Sequence, residues 1–491
     1  MESKQQYVVA LEISSSKIVG VLGVPLAGGG VEILDIEAER ALNCVRWGCI
    51  QNVEETKTRV NRVIARLEEH ISPRKITRVY VGMGGRSMHN HFMSISSVFT
   101  DERMITESVV EALKERYYSE AEVQGGDILE VVPCQYFVDN NEIANPIGVY
   151  GTSIKVQLNG VVAKKTLKMN IDRAIDSQYD IKYVVTAIAM GEHILTNEER
   201  QLGCMLVDFG AEITTVSIFR RGVLLYMATL PMGSHLITKD LTNLNVLEDA
   251  AEEIKKTSGN AIPSDSGRSI LVDGVQSTDV QNYVVARSEE IAANINEQIA
   301  YSGLSRDKIA AGIVLVGGGS QLNGFNRLLE DMTKLKVRFG SIPDNVVLHD
   351  RAARGIEYLQ VIAILAQAAA MMKPGESCVQ EPVPVVEEPA VEETVVTEEP
   401  AEPETDSSNV VVDSGDEEQP ITPPASKNRK KEKPQEVADD GYDDDEEDGE
   451  YRRRNRGKSM NNIWQRLKDK VTKVFEETDD SFDGDEDSRK G

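Results

Sequence analysis

The stretch 312-GIVLVGGGS-320 joins a short apolar run to three consecutive glycines. The run Ile313 to Val316 is aliphatic throughout, which is typical of a buried strand. The glycines that follow carry no side chain, so their backbone can approach a ligand closely. A plain strand-to-helix turn rarely needs three glycines in succession. The stretch therefore predicts a buried strand that ends at a ligand-binding turn.

A second turn carries hydroxyl groups. It follows Leu11 in the order Glu12-Ile13-Ser14-Ser15-Ser16-Lys17. Hydroxyls and backbone N–H groups in a tight turn can bind phosphate oxygens, and the ammonium group of Lys17 adds positive charge. Serine-rich hairpin turns also occur without a ligand. This turn alone leaves both interpretations open.

A third turn lies in 206-LVDFGAEIT-214. Its apolar strand ends at Asp208, a carboxylate that could hold magnesium directly or through water. Tyr7 to Leu11 with Ile18 to Gly23 forms one strand–turn–strand unit, and Met205 to Asp208 with Val216 to Phe219 repeats it. Two such units, far apart in the chain, predict a duplicated α/β fold with phosphate bound between its halves.

The order and spacing of these turns resemble those of the actin-like ATPases, most closely the FtsA family of bacterial cell division. Ala251-Glu252-Glu253-Ile254-Lys255 is similar to that family's adenosine-contacting helix, and 145-NPIGVYG-151 to its inserted subdomain. The resemblance implies ATP and magnesium as ligands, with Glu12 and Asp208 near the metal. It places around the nucleotide Ser14, Ser15, Ser16, Lys17, Gly210, Ala211, Glu212, Gly233, Glu252, Lys255, Gly317, Gly318, Gly319 and Ser320.

The chain departs from the family pattern in both phosphate turns. Ser14 and Ala211 stand where the family has glycine, and Glu212 replaces another glycine with a negative charge. A glycine-free turn leaves less room for phosphate, and an inward carboxylate would repel it. The run Thr186 to Met190 carries no carboxylate where some relatives orient water. We expect ATP binding with at most weak ATPase activity, and no catalytic residue is assigned.

Composition divides the chain at Lys373-Pro374-Gly375. Of the net charge of −27, roughly two-thirds lies beyond this point. Residues 1–372 are the predicted actin-like body: lobe 1 (1–84 and 168–195), the inserted subdomain (85–167), lobe 2 (196–235 and 310–372) and its smaller subdomain (236–309). His89 to His91 is expected to be a polar turn. Residues 373–457 are predicted to be a disordered acidic linker, because they are too polar to form a core.

Residues 458–477 are predicted to be an amphipathic helix, and residues 478–491 an acidic tail. The apolar stripe of the helix and the cations near it suit an anionic membrane surface. The predicted membrane-binding residues are Ile463, Trp464, Leu467, Lys468, Lys470, Val471, Val474 and Phe475. The alternative is a helix that docks in a protein groove or on its own body.

Other features narrow the functional class. The five scattered cysteines have neither zinc-site nor disulfide spacing, no signal peptide is expected, and no basic stripe indicates nucleic-acid binding. The resemblance implies a peripheral protein on the cytoplasmic face of the inner membrane at the septum. Its implied partners are the FtsZ C-terminal peptide on 236–309, a second copy through 85–167, and later division proteins. The alternatives are a pilus-assembly scaffold of the same fold and an actin-fold kinase, although no catalytic aspartate for a kinase is evident.

Overall fold

The computed structural model describes residues 5–41, 43–262, 271–272, 274–348 and 355–381. The predicted membrane helix 458–477, the acidic tail 478–491 and all of the predicted linker after residue 381 lie outside these residues. No helix in the described ranges is long and apolar enough to cross a bilayer.

The strands, in chain order, are β1 Val8–Ile13, β2 Lys17–Pro25, β3 Val31–Arg40, β4 Val45–Arg46, β5 Cys49–Ile50, β6 Lys75–Ile76, β7 Arg78–Met83, β8 His89–Met104, β9 Gly126–Val138, β10 Asn141–Ile143, β11 Tyr150–Lys164, β12 Asp180–Val185, β13 Cys204–Phe209, β14 Thr214–Arg220, β15 Val223–Leu230, β16 Leu271–Val272, β17 Val275–Gln276, β18 Ile313–Val316, β19 Val337–Phe339, β20 Val346–Leu348 and β21 Val379–Gln380. The α-helices are α1 Val53–Ile71, α2 Glu107–Glu120, α3 Lys165–Ala174, α4 Thr186–Ile194, α5 Asn197–Leu202, α6 His235–Leu241, α7 Glu248–Ser258, α8 Ser277–Tyr301, α9 Phe325–Thr333 and α10 Leu359–Met371.

Two sheets share one strand order. In the first, the order β3-β2-β1-β7-β12 has antiparallel pairs at β3-β2 and β2-β1 and parallel pairs beyond, with β20 added beside β3. In the second, β15-β14-β13-β18-β19 repeats the same order and the same pair directions. The predicted strand–turn–strand units are β1–β2 and β13–β14. The repeated topology confirms the predicted duplicated α/β fold.

The main core lies where α4 and α10 pack on each other and against the sheets. Helix α10 is apolar on almost every side, from Leu359 to Ala368, and its aliphatic residues are buried. A helix that is hydrophobic all round belongs inside a protein. Helix α1, which packs on the first sheet, is capped by Asn52, whose side chain accepts a hydrogen bond from Glu55 N. The helix buries the stripe Val60, Val63, Ile64 and Leu67. These helices hold the strand ends, and thus the turns, in place.

Residues within the predicted insertion form their own small core from α2 and strands β8 to β11. Strand β8 also joins the second sheet, because His89 pairs with Ala228 of β15. Asn90 Oδ1 accepts a hydrogen bond from Met227 N. The prediction that His89 to His91 is a polar turn is wrong: these residues begin strand β8, and the side chain of Asn90 links the inserted subdomain to lobe 2.

The folded body extends beyond the predicted linker boundary at residue 373. Strand β21 pairs with β6, and Cys378 is fully buried. Cys378 N donates to Tyr7 O at 2.8 Å, and Thr77 N donates to Cys378 O at 2.8 Å. The low hydrophobicity of this stretch concealed its docking, because backbone hydrogen bonds to an existing edge supply most of the contacts. Residues 373–381 therefore belong to the body.

Candidate functional site

A cavity of about 540 Å³ opens where the strand ends of the two sheets face each other. Its walls include all three turns that the sequence singled out. Of the predicted nucleotide and metal residues it brings together Glu12, Ser14, Ser15, Ser16, Lys17, Asp208, Gly210, Ala211, Glu212, Glu252, Lys255, Gly317, Gly318 and Gly319. A volume of this size suits a small-molecule ligand.

The glycine turn after β18 gives each glycine a different role. Gly317 has φ +84°, and a Cβ there would lie 2.5 Å from Asp208 Oδ1. A Cβ on Gly319 would lie 2.8 Å from Phe209 O, whereas a Cβ on Gly318 would meet no heavy atom within 4 Å. Gly317 and Gly319 are thus required by the fold. Gly318 faces open cavity, which is where close approach to a ligand needs glycine.

Ser320 was predicted to contact the nucleotide, but it does not line the cavity. It is buried, and its Oγ donates to Gly317 O at 2.6 Å. The hydroxyl therefore closes the glycine turn from behind. Gly233 also lies behind a turn rather than in the cavity wall, because a Cβ there would overlap the carbonyl group of Ala211. Both residues therefore contact the turns from behind and do not line the cavity.

The serine turn is closed by its first residue. Ser14 donates to Lys17 O through its backbone N at 3.0 Å and its Oγ at 2.8 Å. Ser15 Oγ accepts a hydrogen bond from Gly48 N at 2.9 Å. Lys17 Nζ lies 4.0 Å above the ring of Tyr358. Burial lowers the pKa of Lys17, while the carboxylates of Glu12 and Glu357 act to raise it. The turn thus presents hydroxyls and one ammonium group to the cavity.

Two carboxylates, that of the buried Glu12 and that of the partly buried Asp208, face the same space. Burial raises the pKa of Glu12 to about 7, with Lys17 opposing and Asp208 adding to the rise. Burial likewise raises the pKa of Asp208 to about 6. Within the described part of the chain, Glu12 Oε2 has no hydrogen-bond partner. A buried, unsatisfied carboxylate oxygen is costly unless a cation meets it.

These two carboxylates suit a magnesium ion that is also held by a bound ligand, rather than a metal ion held by protein side chains alone. No group of three or more His, Cys, Asp or Glu side chains in the described residues could hold a metal ion. Magnesium usually takes one or two carboxylates together with the phosphates of a ligand and water. Glu12 and Asp208, beside turns suited to phosphate, match that donor set.

The acidic side chain of Glu212, in the turn after β13, is paired with groups of the other lobe. Glu212 Oε1 lies 2.6 Å from Arg46 Nε, and Glu212 Oε2 accepts a hydrogen bond from Trp47 N at 2.6 Å. The expected inward negative charge is therefore engaged by the β4–β5 turn of the other lobe. Gly210 and Ala211 remain in the cavity wall.

The opposite end of the cavity is formed by α7. Lys255 Nζ donates to Glu252 Oε2 at 2.7 Å and to Thr238 Oγ1 at 2.9 Å. Burial lowers the pKa of Lys255, while the carboxylate of Glu252 acts against that shift. The pair forms a polar wall whose remaining acceptors suit a ribose or base.

Sequence reasoning missed a fourth turn. Gly82, Gly84 and Gly85 line the cavity at the end of β7. Strand β7 holds the same place in the first sheet as β18 does in the second. The duplication itself was the signal, since a glycine turn after one strand implies its counterpart after the other. Thr186, Glu357 and Gln360 also line the cavity and were not predicted.

Comparison with known proteins identifies the family. Residues 205–363 match the family described as "Cell division protein FtsA", and residues 85–162 match "SHS2 domain inserted in FTSA". The Cell division protein FtsA of Porphyromonas gingivalis is 29% identical over 361 residues, which is 69% of this chain and 74% of the relative. That of Escherichia coli (strain K12) is 25% identical over 361 residues, covering 69% and 84%.

A solved structure shares the fold. The "PilM-PilN type IV pilus biogenesis complex" superimposes with a TM-score of 0.53 at 16% sequence identity, covering 74% of this chain and 98% of the other. At that identity the likeness concerns architecture alone, so it does not support the pilus alternative. The actin-like fold class with its inserted subdomain is confirmed, and the family matches and sequence relatives agree on one assignment. The chain belongs to the FtsA family of bacterial cell-division proteins.

Proposed function

We propose that this chain binds ATP with magnesium between its lobes and anchors FtsZ filaments to the cytoplasmic face of the inner membrane at the septum. It would self-associate there and help to recruit later division proteins. The observation that carries the proposal is the convergence of three phosphate-type turns on the carboxylates of Glu12 and Asp208. Glu12 is buried, and its Oε2 has no hydrogen-bond partner within the described residues.

Each side of the cleft would have a distinct part in holding the nucleotide. Gly318 leaves space for phosphate, Ser15 and Ser16 offer hydroxyls, and Lys17 offers positive charge. Glu12 and Asp208 would hold magnesium, and Glu252 and Lys255 would face the ribose and base. Bound ATP would supply a triphosphate that contacts turns from both lobes. Fast hydrolysis is not expected, because Thr186, Ala187 and Met190 present no carboxylate where α4 enters the cavity.

Two surfaces of the body suit the proposed protein partners. A second groove, of about 480 Å³, lies at the end of α8 within 236–309 and has Arg306 in its wall. This groove is a place for the FtsZ C-terminal peptide. The inserted subdomain exposes Phe92, Val98 and Tyr150, which are large apolar side chains suited to contact with a second copy or a later division protein.

Membrane attachment would come from residues 458–477. Trp464 and Phe475 would bury in the headgroup boundary, while Lys468 and Lys470 would face anionic lipids. One short helix binds weakly because its folding cost offsets part of the gain. Self-association would place several helices on one membrane and raise the overall affinity.

Localisation in dividing cells tests the proposal. The full chain should form a band at the septum, and a chain ending at residue 457 should disperse. A chain ending at 477 is the matched control, because it retains the helix and loses only the acidic tail. Purified full chain should also gain thermal stability from ATP with magnesium, and Asp208→Asn should reduce that gain. A septal band from the 457-residue chain, or no stabilisation of the unchanged chain at millimolar ATP, would contradict the proposal.

A further inference from the structure

The β4–β5 hairpin contacts two of the three turns around the cavity, the serine turn after β1 and the turn after β13. Its tip residue Gly48 donates its N–H to Ser15 Oγ at 2.9 Å. The adjacent Trp47 donates its N–H to Glu212 Oε2 at 2.6 Å. Ser15 belongs to the serine turn after β1 and Glu212 to the turn after β13, so one short hairpin contacts both sides of the cleft. A Cβ on Gly48 would lie 2.9 Å from Gly85 Cα and 3.1 Å from Ile213 Cδ1, which shows how closely the tip is packed.

Arg46 of this hairpin engages the second oxygen of the Glu212 carboxylate. Arg46 Nε lies 2.6 Å from Glu212 Oε1, as an ion pair rather than an aligned hydrogen bond. The Glu212 side chain is only 10% exposed and that of Arg46 is 32% exposed. The pair is thus better shielded from water than a surface ion pair, and its loss would leave a largely buried charge uncompensated.

The guanidinium group of Arg46 is itself held in place. It lies 5.2 Å from the centroid of the Trp47 ring, and the guanidinium group of Arg86 lies 4.7 Å from the same ring. Such cation–π contacts restrict the side chains that form them. Arg46 is therefore preorganised toward Glu212.

Glu212 lines the cavity beside Gly210 and Gly317, where the proposed function places phosphate. A free carboxylate at this point would repel a polyphosphate across a poorly hydrated wall. With one oxygen paired to a cation and the other to a backbone N–H, the carboxylate is neutralised and its oxygens are directed at the opposite lobe. The turn can then accept phosphate although it lacks the family's glycine.

We propose that Arg46 is a positioning residue that holds Glu212 away from the phosphate site, so that the Arg46–Glu212 contact makes the turn after β13 compatible with a polyphosphate ligand. This inference rests on the proposed nucleotide site and adds to it a contact between the two lobes. Arg46 acts through Glu212 and need not touch the ligand.

A double-mutant cycle on the full chain tests the inference. Arg46→Gln should weaken ATP binding about tenfold, an effect of about 1.4 kcal/mol, because Glu212 is released beside the phosphates. Glu212→Gly should leave ATP binding unchanged or tighter, since it restores the family's residue. The double variant should bind ATP as tightly as Glu212→Gly alone. Arg46→Lys, which keeps the positive charge, should retain most of the affinity.

Two measurements separate this role from a purely structural one. Adenosine has no phosphates, so Arg46→Gln should weaken its binding far less than that of ATP. Thermal unfolding without nucleotide identifies any variant that fails to fold, and Arg46→Lys then carries the comparison. Additive effects of the two substitutions, or equal losses for adenosine and ATP, would overturn the inference alone. Absence of ATP binding by the unchanged chain would overturn the proposed function as well.

Discussion

Of the substitutions in the glycine turn, Gly318→Val best distinguishes an effect on ligand binding from an effect on folding. The φ of Gly318 lies outside the left-handed region, and a Cβ there would meet no heavy atom within 4 Å. The valine methyl groups would project into the cavity of about 540 Å³. The variant should therefore fold, while its side chain occupies the space left for phosphate.

The expected magnitudes follow from these distances. Without nucleotide, Gly318→Val should change the free energy of unfolding by no more than about 1 kcal/mol, the usual scale for replacing an unstrained glycine. ATP at about 100 times its dissociation constant stabilises an ordinary site by about 2.7 kcal/mol. With an unfolding entropy of about 2.1 cal/mol/K per residue, this corresponds for a folded body as large as this one to a rise in Tm of about 3 °C. Gly318→Val should lose this rise entirely.

Gly317→Ala is the contrasting control. Its φ of +84° and the 2.5 Å approach to Asp208 Oδ1 mean that even a methyl group strains the turn, so this variant should lose stability before any ligand is added. Differential scanning fluorimetry of the three full-length chains, with and without ATP and magnesium, makes the comparison. If ATP raised the Tm of Gly318→Val as much as that of the unchanged chain, phosphate would not lie beside Gly318, and the proposed nucleotide site would be wrong.

Three other outcomes are expected. Because burial raises the pKa of Glu12 from 4.5 to about 7, the contribution of Glu12 to the stability of the nucleotide-free chain is fully present below pH 4.5 and is lost as pH rises through 7. The effect on the free energy of unfolding is at most about 3 kcal/mol. Unfolding measured over this pH range should show a flatter profile for Glu12→Gln than for the unchanged chain. A chain ending at residue 372 should be less stable than one ending at 381, because it loses the backbone hydrogen bonds of Cys378, each worth about 0.5–1.5 kcal/mol; equal melting temperatures would mean that the docked segment contributes nothing. Trp464→Glu should abolish co-sedimentation with anionic vesicles. Asn462→Glu adds the same charge on the opposite face of the predicted helix and should reduce co-sedimentation only slightly. Continued binding of Trp464→Glu to the vesicles would favour the protein-docking alternative.

The local features of the site were predictable where one short stretch decides them. The strand Ile313–Val316, the turn Gly317 to Gly319 and the acid Asp208 lie where the sequence placed them, because a buried strand and its glycine turn depend on neighbours only a few residues apart. Ser320 and Gly233 were misplaced for a related reason. Adjacent residues in a turn point to opposite sides, and sequence alone does not say which side faces the ligand.

Contacts between distant segments were beyond prediction. The docking of Cys378 against Tyr7 and Thr77, and the strand that begins at His89, depend on an edge that exists only once the sheets have formed. Backbone hydrogen bonds carry these contacts, and every residue except proline offers the same donor and acceptor, so composition leaves little trace of them.

The sequence by itself determined the duplicated α/β class, the three phosphate-type turns and the departure of Glu212 from the family pattern. It could only warn that this carboxylate would repel a phosphate. The tertiary structure decided the outcome by bringing Arg46 and Trp47 from the other lobe to its two oxygens. The physical reason is that the effect of a charge depends on the groups within a few ångströms of it in space, and the nearer of the two in sequence, Trp47, lies 165 residues away along the chain.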